Sequence, residues 1–138
     1  QEPMWLAVPR LHPEAHAKAV PLGNLKGKKL LMLADGHCLR DQAMGFCFAA
    51  GVGEDVRFQG TSLETLRNMV AAGSGMTLIP RLAVPANRDE GGVSYRPVID
   101  PVPGRAISLF YRHYSVRRPC FNELATRIRA LMKVQLAS

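Results

Sequence analysis

Short apolar runs alternate with helix-forming stretches along the chain, and this alternation limits the possible folds more than any other feature. The runs are bounded by turn-forming residues and predict strands at residues 4–9, 29–34, 55–60, 76–80, 93–99 and 106–112. Strands that alternate with helices are typical of α/β folds, in which helices cover the faces of a sheet. With 138 residues, 47% of them hydrophobic, the chain suits one globular α/β domain or a piece of a larger one.

Three helices are predicted from apolar positions that recur with helical spacing. The first begins at Gly36 or His37, the second follows the capping residue Ser62, and the third begins at Pro119. The apolar stripe of the first helix consists of Leu39, Ala43, Phe46, Cys47 and Ala50. The third helix is expected to bury Phe121, Leu124, Ala125, Ile128, Leu131 and Met132. Residues 85–92 are polar and predict a loop.

The formal net charge of +7 is spread along the chain, with no run of Lys or Arg longer than two. We interpret it as favouring solubility and steering rather than as a nucleic-acid surface. No stretch approaches the roughly 20 apolar residues of a membrane span, and residues 1–9 lack the basic start of a signal peptide. Three cysteines are too few for a secreted disulfide framework. We therefore predict a cytoplasmic protein that does not associate with membranes.

The stretch LADGHCLRDQAMGFCFAAG, residues 33–51, places two cysteines on the first predicted helix. Cys38 falls in the first turn, where unpaired backbone N–H groups and the helix dipole favour a thiolate. His37 and Arg40 add donors or positive charge, and Asp41 can orient Arg40 or accept a hydrogen bond. These residues suit a cysteine that reacts with a small polar oxidant, and a cysteine that only packs at the start of the helix is the alternative that they leave open.

Cys47 follows Cys38 by nine residues. Nine helical residues rise by about 13.5 Å and rotate by about 900°, so the two sulfur atoms point in opposite directions. A disulfide needs Cα atoms within about 7 Å, so the pair can bond only if the helix unwinds. Gly45 lowers the cost of unwinding by about 1 kcal/mol relative to alanine. Phe46 and Phe48 flank Cys47, and we expect aromatic surface to leave the core when it moves.

Three stretches resemble the effector-binding domain of LysR-type transcriptional regulators: HPEAHAKAVPLGNLKGKKLLML, SLETLRNMVAAGSGMTLIP and GHCLRDQAMGFCF. The last of these is similar to the hydrogen-peroxide sensors of that family. The resemblance implies a type II periplasmic-binding-protein-like α/β fold. In it, residues 1–105 form the second lobe, and residues 106–138 supply a crossover strand and a C-terminal helix to the first lobe. The winged helix-turn-helix and most of the first lobe are then expected to be absent from this chain, so the last strand and helix should fold back or pair between chains.

The same resemblance implies a function. Hydrogen peroxide oxidises Cys38 to a sulfenic acid, Cys47 closes a disulfide, and the rearrangement alters DNA binding and activation of antioxidant genes. The implied thiolate-activating shell is His37, Arg40, Asp41 and Arg105. The implied conformational switch is Gly45, Phe46 and Phe48. The implied partners are DNA through the absent domain, further copies of the protein in a dimer or tetramer, and a thiol reductant such as glutaredoxin, with no cofactor and no enzymatic turnover.

Other interpretations of the same residues stay open. Cys38 could turn over in a thiol peroxidase, or the domain could bind a small effector with both cysteines incidental. Taken alone, Cys47 on an apolar stripe is typical of a core cysteine. A metal site from His37, Cys38 and Cys47 is disfavoured because the half-turn offset keeps the thiolates apart. Cys120 is interpreted as a structural or incidental thiol.

Overall fold

A computed structural model of the chain describes residues 1–36 and 38–137. Its strands are β1 (Glu2–Pro9), β2 (Val20–Pro21), β3 (Lys29–Leu33), β4 (Gly53–Gly60), β5 (Thr77–Pro80), β6 (Asp89–Glu90), β7 (Val93–Ile99) and β8 (Gly104–Arg105). Its α-helices are α1 (Cys38–Ala49), α2 (Leu63–Ala71) and α3 (Arg118–Ala137). Five predicted strands and all three predicted helices are confirmed. The predicted loop at 85–92 contains the short strand β6, which no sequence pattern predicted.

The sheet is built around β1. Its strand order is β2–β7–β1–β5; β6 pairs with β7, and β8 pairs with β1. The pairs of β1 with β5, β7 and β8 are antiparallel, and β3 pairs with β4 in parallel. Leu30 and Met76 form a parallel bridge, and the Leu31 N–H donates to the Met76 carbonyl at 2.8 Å. The β3–β4 pair therefore continues the sheet beyond β5.

The alternation of side chains along β1 divides the core into two layers. Met4, Leu6 and Val8 belong to one buried cluster, whereas Trp5 and Ala7 belong to the other. Because successive strand residues point to opposite faces, a strand whose residues are nearly all buried must be covered on both sides. The first cluster takes Ala43, Met44 and Cys47 from α1, and the second takes Leu66 and Val70 from α2. The sheet consequently lies between α1 and α2.

The helix α2 shows how local sequence fixes its boundaries. The Ser62 side-chain oxygen accepts a hydrogen bond from the Thr65 backbone N–H at 3.1 Å, which satisfies one of the free donors of the first turn. Gly73 follows the helix with a φ of 80°, a conformation in which a side chain would be strained. The predicted cap at Ser62 is thus confirmed.

The C-terminal segment corrects two predictions. Residues 106–112 do not form the predicted strand, because no strand among the described residues pairs with them. The helix α3 forms, but the six positions expected to be buried are exposed or half-buried, and Leu131 is 63% exposed. The segment folds back along α3, where the rings of Tyr111 and Phe121 stack at 5.2 Å. Among the described residues, no helix is long and apolar enough to cross a membrane.

Candidate redox site

The two cysteines of α1 occupy opposite environments. Cys38 is the first residue of the helix and is exposed, whereas Cys47 is fully buried in the core. Both thiols are free, and the helix runs unbroken from one to the other. The separation of about 13.5 Å along the helix axis therefore persists in this conformation. Unwinding of α1 is required before a disulfide can form.

Burial controls the chemistry of Cys47. A thiolate in an apolar core loses its hydration, and this burial raises the pKa of Cys47 from 9.0 to about 11. The neighbours of Cys47 in the core cluster include Met44, Ala43 and Val52. At neutral pH the thiol is therefore protonated and shielded, so it is a poor nucleophile while α1 remains folded.

Arg40 attaches the first turn of α1 to β4. Its Nη2 donates to Glu54 Oε2 at 2.7 Å, and its Nε lies 3.4 Å from Asp35 Oδ1. Glu54 is only 8% exposed in its side chain, and its other oxygen accepts from Gln59 Nε2 at 3.2 Å. Glu54 is thus the carboxylate that hydrogen-bonds to Arg40, the exposed Asp35 adds a longer ion pair, and Asp41 pairs with Arg40 in none of the contacts of the described residues. The predicted site residue His37 lies outside the described residues.

The predicted switch residues lie on different faces of α1. Gly45 is exposed, and a Cβ atom added there meets no heavy atom within 4 Å. Phe46 is half-buried, but Phe48 is 66% exposed. The expected aromatic surface in the core therefore comes from Phe46 and not from Phe48, which lies on the exposed side of α1. The buried residues of α1 are Ala43, Met44 and Cys47.

Arg105 belongs to β8, which lies against α1. Its Nε donates to Glu2 Oε2 at 2.7 Å, and the other Glu2 oxygen accepts from the Leu82 N–H at 2.9 Å. Arg105 was expected only through the resemblance, and no sequence pattern pointed to Glu2 or Glu54. The one feature of the sequence that could have drawn attention to Glu2 is its position, as a charged residue directly before the apolar run PMWLAV. Nothing in the local sequence distinguishes Glu54 from a surface carboxylate.

The structure brings Cys38, Arg40 and Asp41 together on the first turn of α1 and places β8 beside the same helix. Cys47 is held apart from them in the core. In the described part of the chain, no group of three or more His, Cys, Asp or Glu residues could hold a metal ion. The arrangement can therefore support thiol chemistry at Cys38, while the second thiol, Cys47, is buried and inaccessible as long as α1 is folded.

Comparisons with known proteins agree with this fold. Residues 1–133 match the family model described as LysR substrate binding domain. The chain is 60% identical over 131 residues to the DNA-binding transcriptional dual regulator OxyR of Escherichia coli K12, covering 95% of this chain and 43% of that protein. It is 56% identical over 135 residues to the hydrogen peroxide-inducible genes activator of Dickeya chrysanthemi, covering 98% of this chain and 44% of that protein. The chain thus spans less than half the length of these relatives.

Two solved structures allow a comparison of conformations. The crystal structure of the reduced form of OxyR is 57% identical and has a TM-score of 0.82, covering 95% of this chain and 61% of that one. The crystal structure of the oxidized form is 61% identical and has a TM-score of 0.78, covering 96% of this chain and 62% of that one. The chain is similar in fold to both forms.

Proposed function

The chain belongs to the LysR substrate binding domain family, and on that basis we propose that it is the hydrogen-peroxide-sensing part of a LysR-type transcription regulator. One observation carries this proposal: an exposed Cys38 and a fully buried Cys47 lie on a single unbroken helix. The names of the relatives, a DNA-binding transcriptional regulator and an activator of hydrogen peroxide-inducible genes, supply the biological setting.

The first step takes place at Cys38. Its thiolate attacks one oxygen of hydrogen peroxide, an S–O bond forms, the O–O bond breaks and hydroxide leaves. The sulfur is oxidised by two electrons to a sulfenic acid, and the peroxide is reduced. Backbone N–H groups of the first helical turn favour the thiolate. Arg40, Asp41, His37 and Arg105 are assigned to the polar shell of this reaction.

The second step needs Cys47 and therefore a change in α1. Opening of the helix exposes Cys47, and exposure returns its pKa from about 11 towards the ordinary value of 9.0. Its sulfur then attacks the Cys38 sulfur, an S–S bond forms and water leaves with the sulfenic oxygen. Burial of Cys47 thus delays the disulfide until the helix has moved. The covalent bond and the conformational change are thereby coupled.

The rearrangement reaches the rest of the protein through the domain organisation. We assign residues 1–105 to the second lobe of the regulatory domain and residues 106–138 to the first lobe. The exposed apolar side of α3 fits this assignment, because that helix lies outside both buried clusters. The partners assigned are DNA, further copies of the protein in a dimer or tetramer, and a thiol reductant such as glutaredoxin in the cytoplasm.

The proposal describes a stoichiometric sensor rather than an enzyme. Each chain consumes one equivalent of peroxide and does not react again until its disulfide has been reduced. A thiol peroxidase would instead consume peroxide continuously when supplied with a thioredoxin-type reductant. Turnover measured by the loss of peroxide separates the two functions.

Mass spectrometry of the protein after mild treatment with hydrogen peroxide tests the sensor. We expect the parent to lose two hydrogen atoms and to yield a peptide linking Cys38 to Cys47. Cys38→Ser should remain unoxidised, and Cys47→Ser should stop at the sulfenic acid. Cys120→Ser is the control and should behave like the parent. A parent protein that forms no link between Cys38 and Cys47 contradicts the proposal.

A further inference from the structure

Methionine is concentrated in the buried cluster that α1 covers. Of the six methionines of the chain, four belong to that cluster, each at most 9% exposed: Met4, Met32, Met44 and Met76. Among the residues that the structure describes, the cluster that α2 covers has no fully buried methionine, and its Met69 is only half-buried. The two layers of the core therefore differ in the flexibility of their side chains.

Three of these methionines are carried by the sheet rather than by α1. Met4 lies on β1, Met32 lies on β3, and Met76 directly precedes β5. All three belong to the same buried cluster as Cys47. Their backbones are not part of the helix that has to open before the disulfide forms. We call these three residues the methionine floor of α1.

The packing beneath the first half of α1 is incomplete at Met32. This residue lines a cavity of about 10 Å³ together with Leu39 and Ala43 of the helix, among other residues. Side chains that line a void have no neighbouring atoms on that side. The strand is irregular at the same place, since the register of β3 with β4 shifts between Leu30 and Met32. Met32 is therefore less tightly constrained than a residue in a close-packed part of the core.

The departure of Cys47 from this layer leaves space that has to be filled. Its side chain is fully buried, and the opening of α1 takes it out of the core. The cost of a vacated volume depends on how well the surrounding side chains collapse into it. Methionine is unbranched with three rotatable side-chain bonds and fills irregular gaps, whereas leucine is branched and keeps to well-defined rotamers. Methionine side chains are thus suited to close over the vacated position.

We propose that the methionine floor lowers the free-energy cost of opening α1, because its side chains change conformation and fill the space that Cys47 leaves. The proposal rests on the proposed function and extends it to residues that take no part in the redox chemistry. The layer beneath α1 is then a conformational device that packs in one way around the buried thiol and in a second way without it. The cluster that α2 covers contains no cysteine among its described residues.

The experiment measures the rate at which iodoacetamide alkylates Cys47 in reduced protein that carries Cys38→Ser and Cys120→Ser, so that Cys47 is the one thiol left. A buried thiol reacts only after the structure opens, so this rate reports the population of open molecules. Low concentrations of urea separate local opening from global unfolding. Opening of α1 exposes less surface than unfolding of the whole domain, and its rate therefore depends less steeply on urea.

We expect Met32→Leu to slow the local route of alkylation by about threefold, and the combined variant Met4→Leu, Met32→Leu and Met76→Leu to slow it by about tenfold, a range that volume-conserving exchanges in a core can reach. The direction distinguishes the device from a loss of stability, because a core that is merely weakened opens more easily and is alkylated faster. The matched control is Met69→Leu in the cluster of α2, which should leave the rate unchanged.

Replacement of all methionines by norleucine tests whether flexibility is the property that matters. Norleucine is unbranched like methionine but has no sulfur atom, so the alkylation rate of Cys47 should match that of the parent. A rate as low as that of the combined leucine variant would show that flexibility is not the cause and would overturn the proposal.

Three further results overturn the role of the methionine floor while leaving the sensor intact. They are an unchanged or faster alkylation of Cys47 in the combined variant, an equal slowing in Met69→Leu, and a parent that is alkylated only through global unfolding. Disulfide formation in the parent, measured separately by mass spectrometry, tests the proposed function. If no disulfide forms although the variants slow alkylation as expected, the proposed function fails while α1 still opens over a deformable core. The two failures are therefore distinguishable.

Discussion

Replacing Gly45 by alanine should oppose the formation of the disulfide. Gly45 lies in α1 two residues before Cys47, and an added Cβ meets no heavy atom within 4 Å, so the change brings no clash. What remains is the helix preference of alanine over glycine, about 1 kcal/mol in a helix interior. This stabilises the reduced form, in which α1 is intact, and has no counterpart where the helix is unwound. For a two-electron couple, about 1 kcal/mol raises the reduction potential by about 20 mV.

Redox titration of the protein in glutathione buffers, with the disulfide counted by mass spectrometry, measures this shift. Gly23→Ala is the matched control, because an added Cβ there also meets nothing within 4 Å, but the residue lies in the short turn Leu22–Leu25 outside α1. It should leave the potential unchanged. An equal shift in both variants, or none in Gly45→Ala, would refute the reasoning. The absence of a shift in Gly45→Ala would mean that the helix stays intact around Gly45 in the disulfide form. An equal shift in both variants would mean that the effect does not come from α1.

Two further predictions concern the reduced form. Glu54→Gln removes the carboxylate that holds Arg40 and weakens a charged hydrogen bond of about 1.5–3 kcal/mol, so the reduction potential should fall, by up to about 30–65 mV, in the same titration. Because the folded-state pKa of Cys47, about 11, exceeds the ordinary value of 9.0, its contribution to stability is fully present below pH 9 and is lost as the pH rises from 9 to 11. The difference in unfolding free energy between parent and Cys47→Ala, from urea titrations, should be constant below that range and decline within it; a flat difference up to pH 11 would contradict it.

Most of the regular elements could be predicted because their causes are local. The apolar run that became β1 and the cap at Ser62 depend on residues a few positions apart. The strand expected at residues 106–112 failed for the opposite reason. A strand exists only when another strand satisfies its backbone groups, and no described strand pairs with those residues. The same absence of a partner leaves the apolar side of α3 exposed, although its helical periodicity was recognised correctly.

In the candidate site, too, local features could be predicted from the sequence, whereas contacts between distant residues could not. The positions of Cys38 at the start of a helix and of Cys47 on its buried stripe followed from the sequence and are confirmed. The exposure of Phe48 was missed, because flanking a buried residue in sequence does not place a side chain on the same helix face. The pairing of Arg40 with Glu54 could not be foreseen, since it depends on how β4 runs past α1.

That the two thiols cannot bond across an intact helix follows from their spacing in the chain, because nine residues of helical rise and rotation separate the two sulfur atoms. The α/β alternation and the apolar strip that became the core follow from the sequence as well. The protonation of Cys47 depends on the tertiary structure, because its pKa of about 11 results from burial among residues from distant parts of the chain. Only the tertiary structure brought Glu2 to Arg105, 103 positions away. Local geometry follows from neighbours in the chain, whereas burial and ion pairing are set by contacts between distant residues.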